Sequence, residues 1–449
     1  LHAGAQVTGS DMAENQATNE LKERGITVSI GHQGDGAIPD GTDLVIYSRA
    51  VPEDNAERAA AKEAGITELS FPQFLGALAQ RKKTIAISGT NGKSTTTAMI
   101  AKILIDAGYD PTVILGTYSP DLPDGNLRVG EGDWFVVEAC EHMASFLHIR
   151  PRIAVITNIE EDHLDFYRDL DHIKETFQKW IDNKETNFAM GTDDKIAGSG
   201  DDRLSMHVRD VASGGVVVLN TEDTVSRELQ AREAAYFKVN DRVVNQGSQT
   251  FDVAGVDVTL KIPGKFNASN AAAALTAAHA AGVLDDKAIE SLGNFGGTWR
   301  RFEHVGQWKE KGAEVYSDYA HHPTAIKGTI KAFKEFFGDR RLVMVFEPHQ
   351  HSRTHELFDE FVDAFGELGE KDTLILAEVY RVTGRTEEEF EGSQQLVDAI
   401  KKADKFKGDA RYAADHTDVE KQIGEVTGEG DVVVIMGAGS IDNVARKLV

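Results

Sequence analysis

A glycine-framed loop that ends in Lys-Ser is the most chemically specific stretch of the sequence. Residues 88–104 read SGTNGKSTTTAMIAKIL, between an apolar run and a helical pattern. Gly89 and Gly92 stand closer together than the glycines of the standard P-loop, but Lys93 and Ser94 still follow at the start of a helix. The free N–H groups at the start of this helix favour the binding of an anion. In such a site Lys93 would contact the terminal phosphates of a nucleotide, and Ser94 would bind Mg²⁺. The competing interpretation, a helix N-cap with a solvated lysine, does not require the Gly-x-x-Gly-Lys frame.

Two polar residues follow buried strands and could join this site. Glu138 ends the run DWFVVEA, and His163 follows RIAVITN. The carboxyl ends of strands carry the functional groups of doubly wound sheets, and Mg²⁺ prefers oxygen ligands such as carboxylates. From the residues alone, His163 is as well explained as a satisfied polar side chain as it is as a ligand.

The elements that must position these residues alternate strand and helix along the chain, which predicts an α/β protein with parallel sheets. Changes along the chain in the pattern of apolar runs and helical stretches predict three domains. A small Rossmann-like domain covers residues 1–82, a central P-loop ATPase-like domain covers 83–298, and a second Rossmann-like domain covers 299–449. Short strand signals over residues 214–262 indicate a small antiparallel insert in the central domain.

Helical spacing predicts three packed helices. They lie in DHIKETFQKWIDN, in the Ala-rich run NASNAAAALTAAHAAG, which Gly282 closes, and in HELFDEFVDAFGEL. The apolar face of the third consists of Leu357, Phe358, Phe361, Val362 and Phe365.

The composition limits the classes of function. The 449 residues carry a net charge of −25, the wrong sign for a protein that binds nucleic acid by neutralising phosphates. No apolar run reaches about 18 residues, so no membrane-spanning helix is expected. Cys140 is the one cysteine, which excludes an internal disulfide and favours a reducing cytoplasm. Because it follows an apolar strand, we interpret it as an inert structural thiol.

Seven motifs in order resemble those of the Mur ligase family. They are GTNGKSTTT, VVEACEHMASFL, VITNIEEDHLD, GKFNASNAAAA, WRRFEHVG, SDYAHHPT and EPHQHSRTHELFDEF. The likeness extends from VTGSDMAEN near the start to GAGSIDNVARKL at the end. Within the family it is greatest to the members that add L-alanine to UDP-N-acetylmuramate, mainly through SDYAHHPT, EPHQHSRT and SFLHIRP.

The resemblance implies an ATP-dependent ligase of peptidoglycan precursor synthesis. The lactyl carboxylate of UDP-N-acetylmuramate would take the γ-phosphoryl group of ATP, and the amine of L-alanine would attack the acyl phosphate, with Mg²⁺ neutralising charge. The alternative within the family is the murein tripeptide ligase of peptidoglycan recycling. An alternative of another class is a P-loop NTPase switch, which would leave His321 and Arg353 without a role.

The resemblance also implies residue roles. Lys93 would contact the β- and γ-phosphates, Ser94 and Glu138 would hold a first Mg²⁺, and His163 a second. The residues expected to bind ATP are Gly89, Thr90, Asn91, Gly92, Lys93, Ser94, Thr95, Asn267, Asn270, Arg301 and Asp318. Those expected to bind the other substrates are Asp11, Ser48, His163, His321 and Arg353, although HHP leaves His322 as a second candidate for the role of His321.

The sequence departs from the family pattern at several positions. Cys140, His142 and Met143 stand where the closest members commonly carry Asp, Ser and Asp, and Gln350 stands where many carry arginine. Relatives also open with a strand and a Gly-rich turn that approaches the UDP diphosphate, whereas this sequence starts after such a unit. On that basis we expect weak binding of UDP-N-acetylmuramate and a first domain of low stability.

Overall fold

The computed structural model describes residues 4–31, 38–164, 166–182, 215–245, 247–380 and 392–449. In these ranges the chain is an α/β protein with two large sheets, one in the central part of the chain and one in the last third. None of the helices described here is both long enough and apolar enough to cross a membrane.

The first block consists of short elements that alternate strand and helix. They are β1 (Thr8–Asp11), α1 (Gln16–Glu23), β2 (Thr27–Ile30), β3 (Leu44–Tyr47), α2 (Ala56–Glu63), β4 (Thr67–Ser70) and α3 (Phe71–Ala79). β1 pairs in parallel with β2, and β3 with β4. Helix α3 packs on the central block, and a Cβ added at Gly76 would lie 2.3 Å from the carbonyl oxygen of His148. This close approach fixes the first block against the next one.

The central block is built on a seven-stranded sheet of order β11-β10-β9-β5-β8-β6-β7, parallel except for β7. Its elements are β5 (Lys83–Ser88), α4 (Lys93–Asp106), β6 (Thr112–Ile114), β7 (Leu127–Arg128), β8 (Trp134–Glu138), a 3₁₀-helix (His142–His148), β9 (Ile153–Ile156), α5 (Leu170–Asp182), β10 (Val216–Asn220), a short 3₁₀-helix (Ser226–Glu228), β11 (Ala234–Phe237), β12 (Asn240–Asn245), β13 (Ser248–Val253), β14 (Val256–Leu260), α6 (Lys265–Ala280) and α7 (Asp285–Gly293).

The antiparallel insert is confirmed, but it is smaller than predicted. Only β12, β13 and β14 form the antiparallel sheet. The run GGVVVLN, which the sequence assigned to the insert, becomes β10 and extends the parallel sheet beside β9, followed by β11. Helices α4, α6 and α7 cover one face of the large sheet, and α3, α5 and the first 3₁₀-helix cover the other. Both faces are therefore buried, as continuous apolar strands require.

The last block has a six-stranded sheet of order β15-β16-β20-β17-β18-β19, parallel except for β15. Its elements are β15 (Glu303–Trp308), β16 (Ala313–Asp318), α8 (Pro323–Phe337), β17 (Leu342–Glu347), α9 (His351–Glu356), α10 (Phe358–Phe365), β18 (Thr373–Ala377), α11 (Ser393–Ala403), β19 (Asp409–Ala413), α12 (His416–Val426), β20 (Val432–Gly437) and α13 (Asp442–Leu448). Helices α8, α10 and α11 pack on one face, and α12 and α13 pack on the other.

The three predicted helices are present, with one correction. Helix α5 covers its predicted segment, and α6 ends just before Gly282, which has a left-handed φ of +93°. HELFDEFVDAFGEL, however, is not one helix, because Leu357 separates α9 from α10 with φ −111° and ψ 27°. Phe361 and Phe365 remain fully buried on α10. Because of this break, Arg353 lies on a separate helix, α9, and not on α10.

Candidate active site

The phosphate loop is a tight turn between β5 and α4. Gly89 and Gly92 have φ values of +130° and +85°, which residues with a side chain rarely adopt. The N–H of Thr96 donates to the carbonyl of Gly92 at 2.9 Å, so the N–H groups of the residues between them precede the helical hydrogen bonds. These groups and the helix dipole make the start of α4 suitable for an anion.

The segment after β9 holds this loop in shape. The Asn158 side chain accepts from the Asn91 N–H at 2.9 Å and donates to the Asn91 carbonyl at 2.9 Å. Thr157 Oγ1 donates to the same carbonyl at 2.6 Å, and the Glu160 N–H donates to Thr90 Oγ1 at 2.9 Å. Thr90 and Asn91, both expected to bind ATP, are therefore fixed by the strand that leads to His163.

Helix α6 brings the two predicted asparagines to the same loop. The amide of Asn270 lies against Gly92 and donates to Asn267 Oδ1 at 3.3 Å. Asn267 in turn donates to the carbonyl of Pro263 at 2.7 Å. Both side chains are buried, so they are fixed parts of the site rather than surface groups.

Lys93 is held by the loop and by a carboxylate. Its Nζ donates to the carbonyls of Gly89 and Thr90 at 2.6 and 3.1 Å and to Glu141 Oε1 at 2.9 Å. Burial opposes the charge of Lys93, but nearby negative groups, Glu141 first among them, raise its pKa. The lysine is therefore a cation at neutral pH, as contact with phosphate requires.

The carboxylate in contact with Lys93 is Glu141, which was not among the predicted site residues. Glu138 lies at the end of β8, where its Oε2 accepts from the Gly116 N–H at 3.0 Å, and its charge still acts on Lys93. After β8 the chain turns sharply, because Met143 and Ala144 both have φ +53°. Glu141 lies just before this turn, in contact with Lys93, and its side chain is only 4% exposed.

His163 also lies beside Glu141, with its Nε2 3.8 Å from Glu141 Oε1. Asp162 lies at the same distance from this nitrogen, and the ligand atoms of the three residues are all within 4.8 Å of one another. Burial lowers the pKa of His163, which leaves the neutral imidazole that binds cations. Its own φ of +55° is strained, as is common at functional sites.

These residues fit a magnesium ion. The carboxylates of Glu138, Glu141 and Asp162 and the hydroxyl of the buried Ser94 supply oxygen, the ligand type that Mg²⁺ selects. Glu141 Oε2 is a buried acceptor without a hydrogen-bond partner in the part of the chain that the structure describes. Such an atom needs a hydrogen-bond donor or a positive group, and a bound cation would satisfy it.

Adjacent arginines in the last block have different surroundings. Arg300 is buried, and its Nη2 donates to the carbonyls of Gly437 and Gly439, the latter at 3.0 Å. Arg301, the predicted ATP ligand, lies with its guanidinium 4.9 Å from the centre of the Tyr319 ring. Asp318 accepts from the N–H groups of Phe302 and Ala320, both at 2.8 Å, and burial raises its pKa although the charge of Arg301 opposes this.

The last block contributes charges that face the central block. Burial alone would raise the pKa of Asp162, but interaction with His163, including a hydrogen bond from its N–H, and the charge of Arg353 lower it, and His322 acts in the same direction. Arg353 lies on α9, and His322 caps α8. Arg353 is therefore near enough to Asp162, the neighbour of His163, for its charge to act on that carboxylate.

His321 is a neutral base in this cleft. Its Nδ1 lies 3.0 Å from the carbonyl of Tyr319, which can only accept, so Nδ1 carries the proton and Nε2 is left as an acceptor. Burial, followed by the charge of Arg353, lowers the pKa of His321 to about 3. The group can accept a hydrogen bond from an amine but carries no charge at neutral pH.

The first block holds the remaining predicted residues. Asp11 ends β1 and Ser48 follows β3. The side chain of each accepts a hydrogen bond from a nearby N–H group, that of Ala13 and that of Ala50. A different residue reaches the central block, because Arg49 donates to the carbonyl of Met143 at 2.6 Å.

Sequence reasoning missed several residues of this site. Glu141, Asp162 and Asn158 all contact predicted site residues, yet none was predicted. The available signals were the second carboxylate in EACE and the acidic residue immediately before His163. Cys140 keeps its structural interpretation, since removal of its sulfur from water and the charge of Glu141 raise the pKa of the thiol to about 11.

Three protein-family models match successive parts of the chain. The Mur ligase family catalytic domain matches residues 1–83, the Mur ligase middle domain matches 87–278, and the Mur ligase glutamate ligase domain matches 300–439. Together they follow the order of the three blocks described above.

Known proteins give the same result over the full chain. The UDP-N-acetylmuramate–L-alanine ligase of Clostridium perfringens is 35% identical over 454 residues, which cover 99% of this chain and 93% of that protein. The crystal structure of UDP-N-acetylmuramate–alanine ligase from Thermotoga maritima superposes with a TM-score of 0.80 at 26% identity, covering 100% of this chain and 93% of the other. A murein peptide ligase from Psychrobacter arcticus, at 23% identity and a TM-score of 0.64 over 100% of this chain and 93% of the other, shares the fold. The chain belongs to the Mur ligase family.

Proposed function

We propose that this chain is an ATP-dependent ligase that joins L-alanine to the lactyl carboxylate of UDP-N-acetylmuramate in peptidoglycan precursor synthesis. The choice of substrates is supported by full-length similarity to ligases of that name. The chemistry is carried by one observation, the meeting of the Lys93 loop with Asp162 and His163 opposite Arg353 and His322. A P-loop NTPase switch would need only the Lys93 loop.

The phosphate loop would hold ATP for attack by the substrate carboxylate. The N–H groups at the start of α4 and the ammonium of Lys93 would bind the β- and γ-phosphates, while Asn267 and Asn270 would contact the adenine side. Arg301 and Asp318 would approach the phosphates and the ribose from the last block. These groups neutralise charge and align the two reacting oxygens, which is most of what phosphoryl transfer requires.

Magnesium is part of the proposal, held at the loop by Ser94 and Glu138 and beside it by His163. When bound, it would neutralise the negative charge that develops on the transferring phosphoryl group. The carboxylate of UDP-N-acetylmuramate attacks the γ-phosphorus, the bond to the β-γ bridging oxygen breaks, and ADP leaves. The amine of L-alanine then attacks the acyl carbon, and phosphate departs with the bond electrons.

The last block would receive the amino acid. A guanidinium suits carboxylate recognition, so Arg353 would bind a substrate carboxylate. The neutral His321, with Nε2 as an acceptor, would orient the amine. Asp11 and Ser48 of the first block are proposed to contact the nucleotide sugar, and the domain boundaries are proposed at residues 82 and 298. A single cysteine is compatible with a reducing cytoplasm as the place of reaction.

One assay tests this function. ADP release is measured with UDP-N-acetylmuramate and ATP, with L-alanine, glycine, L-serine or a murein tripeptide as the amine. We expect release that depends on both the nucleotide sugar and L-alanine. Preference for the tripeptide would reassign the chain to peptidoglycan recycling, and ADP release that ignores the sugar would contradict ligation.

Closure of the last block on the central one is a second test of the same proposal. X-ray scattering with an ATP analogue and UDP-N-acetylmuramate should show a more compact particle than either ligand-free protein or protein with the sugar alone, because Arg301 and Arg353 must reach ligands bound by Lys93. Identical profiles would count against a site shared by the two blocks.

A further inference from the structure

A series of side-chain hydrogen bonds crosses from the last block into the central block. It starts at Glu335 on α8, whose Oε2 accepts from Arg242 Nη2 at 2.6 Å. Arg242 lies on β12 of the antiparallel insert, and its Nε donates to Gln249 Oε1 at 2.7 Å. Gln249 lies on β13, and its Nε2 donates to the carbonyls of Ile262 and Gly264 at 2.6 and 3.1 Å. The series therefore ends at the turn that precedes α6.

This turn, residues 262–264, determines where Asn267 lies. Its middle carbonyl, that of Pro263, accepts from Asn267 Nδ2 at 2.7 Å. The carbonyl of Gly264 accepts from the N–H of Asn267 at 3.0 Å. The Asn267 side chain in turn accepts from Asn270, which lies against the phosphate loop. A displacement of the turn would therefore move Asn267 relative to that loop.

Gln249 can satisfy all its partners in only one orientation. The residue has no exposed surface, so its amide must find its hydrogen bonds inside the protein. A guanidinium can only donate and a main-chain carbonyl can only accept, so Oε1 faces Arg242 and Nε2 faces the turn. The side chain thus connects Arg242 rigidly to the turn.

Helix α8 also packs directly on the same turn. Gly264 has a φ of +96°, and a Cβ added there would lie 3.1 Å from Ala332 Cβ and 2.7 Å from the ring of Phe266. The same ring lies 3.8 Å from a Cβ added at Gly328 of α8. Because Glu335 follows Ala332 by three residues, the two lie on one face of the helix. The last block therefore meets the turn through close packing and through an ion pair.

We propose that Arg242 and Gln249 are positioning residues, which hold Asn267 for an adenine nucleotide when α8 docks on the central block. Their partner in the last block is Glu335, so the ion pair between the blocks stabilises the nucleotide-binding form of the turn. The antiparallel insert, which has no role in the proposed mechanism, provides the strands that carry both positioning residues. The inference rests on the proposed function in one respect, the contact of Asn267 with the adenine side of ATP.

Neither positioning residue is placed at the reacting groups, which fixes the kind of effect to expect. The Lys93 loop binds the transferring phosphates and shares no hydrogen bond with Arg242 or Gln249 among the described residues. Loss of the positioning residues should therefore weaken nucleotide binding and leave the phosphoryl-transfer step nearly unchanged. A raised KM for ATP with an unchanged kcat is the expected pattern.

The test is calorimetric titration of ADP into the full chain, which reports nucleotide affinity without turnover. Glu335→Gln should weaken ADP binding about threefold, because a partly exposed ion pair contributes little. Gln249→Glu keeps an acceptor for Arg242 but removes the N–H donors to two carbonyls, so it should weaken ADP binding about tenfold. In the ligation assay the KM for ATP should rise by similar factors, with kcat within about twofold of the wild type.

The double variant distinguishes positioning from a general loss of stability. If Glu335 acts through Gln249, then Glu335→Gln should cause no further loss of ADP affinity in a Gln249→Glu background. Losses that multiply, or an unchanged ADP affinity in Gln249→Glu, would overturn the proposal. Arg242→Met interrupts the series at a partly exposed position, and it replaces Gln249→Glu in the same comparison if that variant does not fold.

A matched control removes another carboxylate that pairs with α8. Glu367 lies 3.3 Å from the ammonium groups of both Lys327 and Lys331, and all three residues belong to the last block. Glu367→Gln therefore breaks ion pairs of the same helix without touching the boundary between the blocks. We expect unchanged ADP affinity, and a loss equal to that of Glu335→Gln would contradict the proposal.

The outcome can be separated from that of the proposed function. If the wild type ligates L-alanine but Glu335→Gln and Gln249→Glu bind ADP as the wild type does, the proposed function stands and this inference fails. If ADP affinity falls as expected but no variant and no wild type ligates, the positioning role stands and the proposed function fails. A wild type that binds no ADP would overturn both.

Discussion

Asn270 and Gly92 are so close that a Cβ added at Gly92 would lie 2.2 Å from Asn270 Oδ1. The two residues lie on different helices, α6 and the start of α4, and Gly92 also has a φ of +85°. Both the space and the backbone conformation therefore require glycine at this position. The phosphate loop and the helix expected to contact adenine form one rigid unit.

Gly92→Ala should strongly weaken nucleotide binding while the chain still folds. The left-handed conformation costs about 1–2 kcal/mol for alanine, and the collision with Asn270 must also displace the loop, so we expect ATP affinity to fall by about 100-fold. Gly108→Ala is the matched control, because Gly108 ends the same helix with φ +78° and has nothing within 4 Å. Calorimetric titration of ATP compares the two, and equal affinities would show that the collision is harmless.

Lys93→Ala should remove catalysis much more than it removes binding of the nucleotide sugar. The lysine acts on the transferring phosphates, so ADP release should fall by about 10²- to 10³-fold, while calorimetry shows nearly unchanged affinity for UDP-N-acetylmuramate. Lys83→Ala is the control, since that lysine is exposed and pairs with Asp133 at 3.1 Å. Turnover of Lys93→Ala near the wild-type rate would contradict the role assigned to the loop.

The two neighbouring arginines should give opposite phenotypes. Arg300→Ala removes a buried cation that bonds two carbonyls, so we expect a loss of about 2–3 kcal/mol of unfolding free energy. Arg301→Ala should leave stability nearly unchanged and weaken ATP binding in the closed enzyme. Chemical denaturation and ATP titration in the presence of the sugar measure the two effects. The assignment fails if Arg301→Ala is the less stable variant.

Two histidines should respond to pH with opposite signs. The pKa of His321 is lowered to about 3 by burial and by Arg353, below the value near 6.5 of an unfolded chain. The unfolded state therefore binds a proton that the folded state rejects, so the stability contribution is full above about pH 6.5 and is lost as pH falls towards 3. His321→Gln should lessen the fall in melting temperature between about pH 7.5 and 5.

His416 is the counterpart in the same block. Its hydrogen bond to Glu347, at 2.6 Å, raises its pKa above the unfolded value. The contribution is then present below the unfolded pKa and is lost as pH rises through the folded one. His416→Gln should consequently lower the melting temperature more at pH 5 than at pH 8. If both histidine variants shift the profile in the same direction, the cleft does not hold His321 as a neutral base.

The phosphate loop and the main strands were predictable because their signals are local. Gly89 and Gly92 require special backbone angles, Lys93 and Ser94 follow directly, and continuous apolar runs identify strands buried on both faces. The Ala-rich helix ends where Gly282 permits a left-handed residue. Each of these features depends on residues that are neighbours in the sequence.

The remaining features depend on partners distant in sequence. Glu141 could not be recognised from the sequence, because its contact with Lys93 joins residues 48 positions apart in the chain. Likewise, the composition of GGVVVLN predicts a strand but not its partner. Whether it pairs with β9 or with the insert depends on which sheet edge lies beside it in the folded chain. Asp162 can be recognised as a site residue only in the folded chain, where Arg353 and His322 lie near it.

Helix α6 owes its position to alanine. Residues 271–274 and 277–278 are alanines with no exposed surface, and they share a core with the apolar side of α4. On the α6 side the contact therefore consists of methyl groups, which lets α6 approach α4 closely and helps to set the distance from Asn270 to Gly92. A methylene added along this contact, even at the end remote from the loop, would shift α6 and with it the position of Asn270 against the phosphate loop. Random mutagenesis for thermal stability in this core would therefore select, without intending it, variants with altered affinity for ATP.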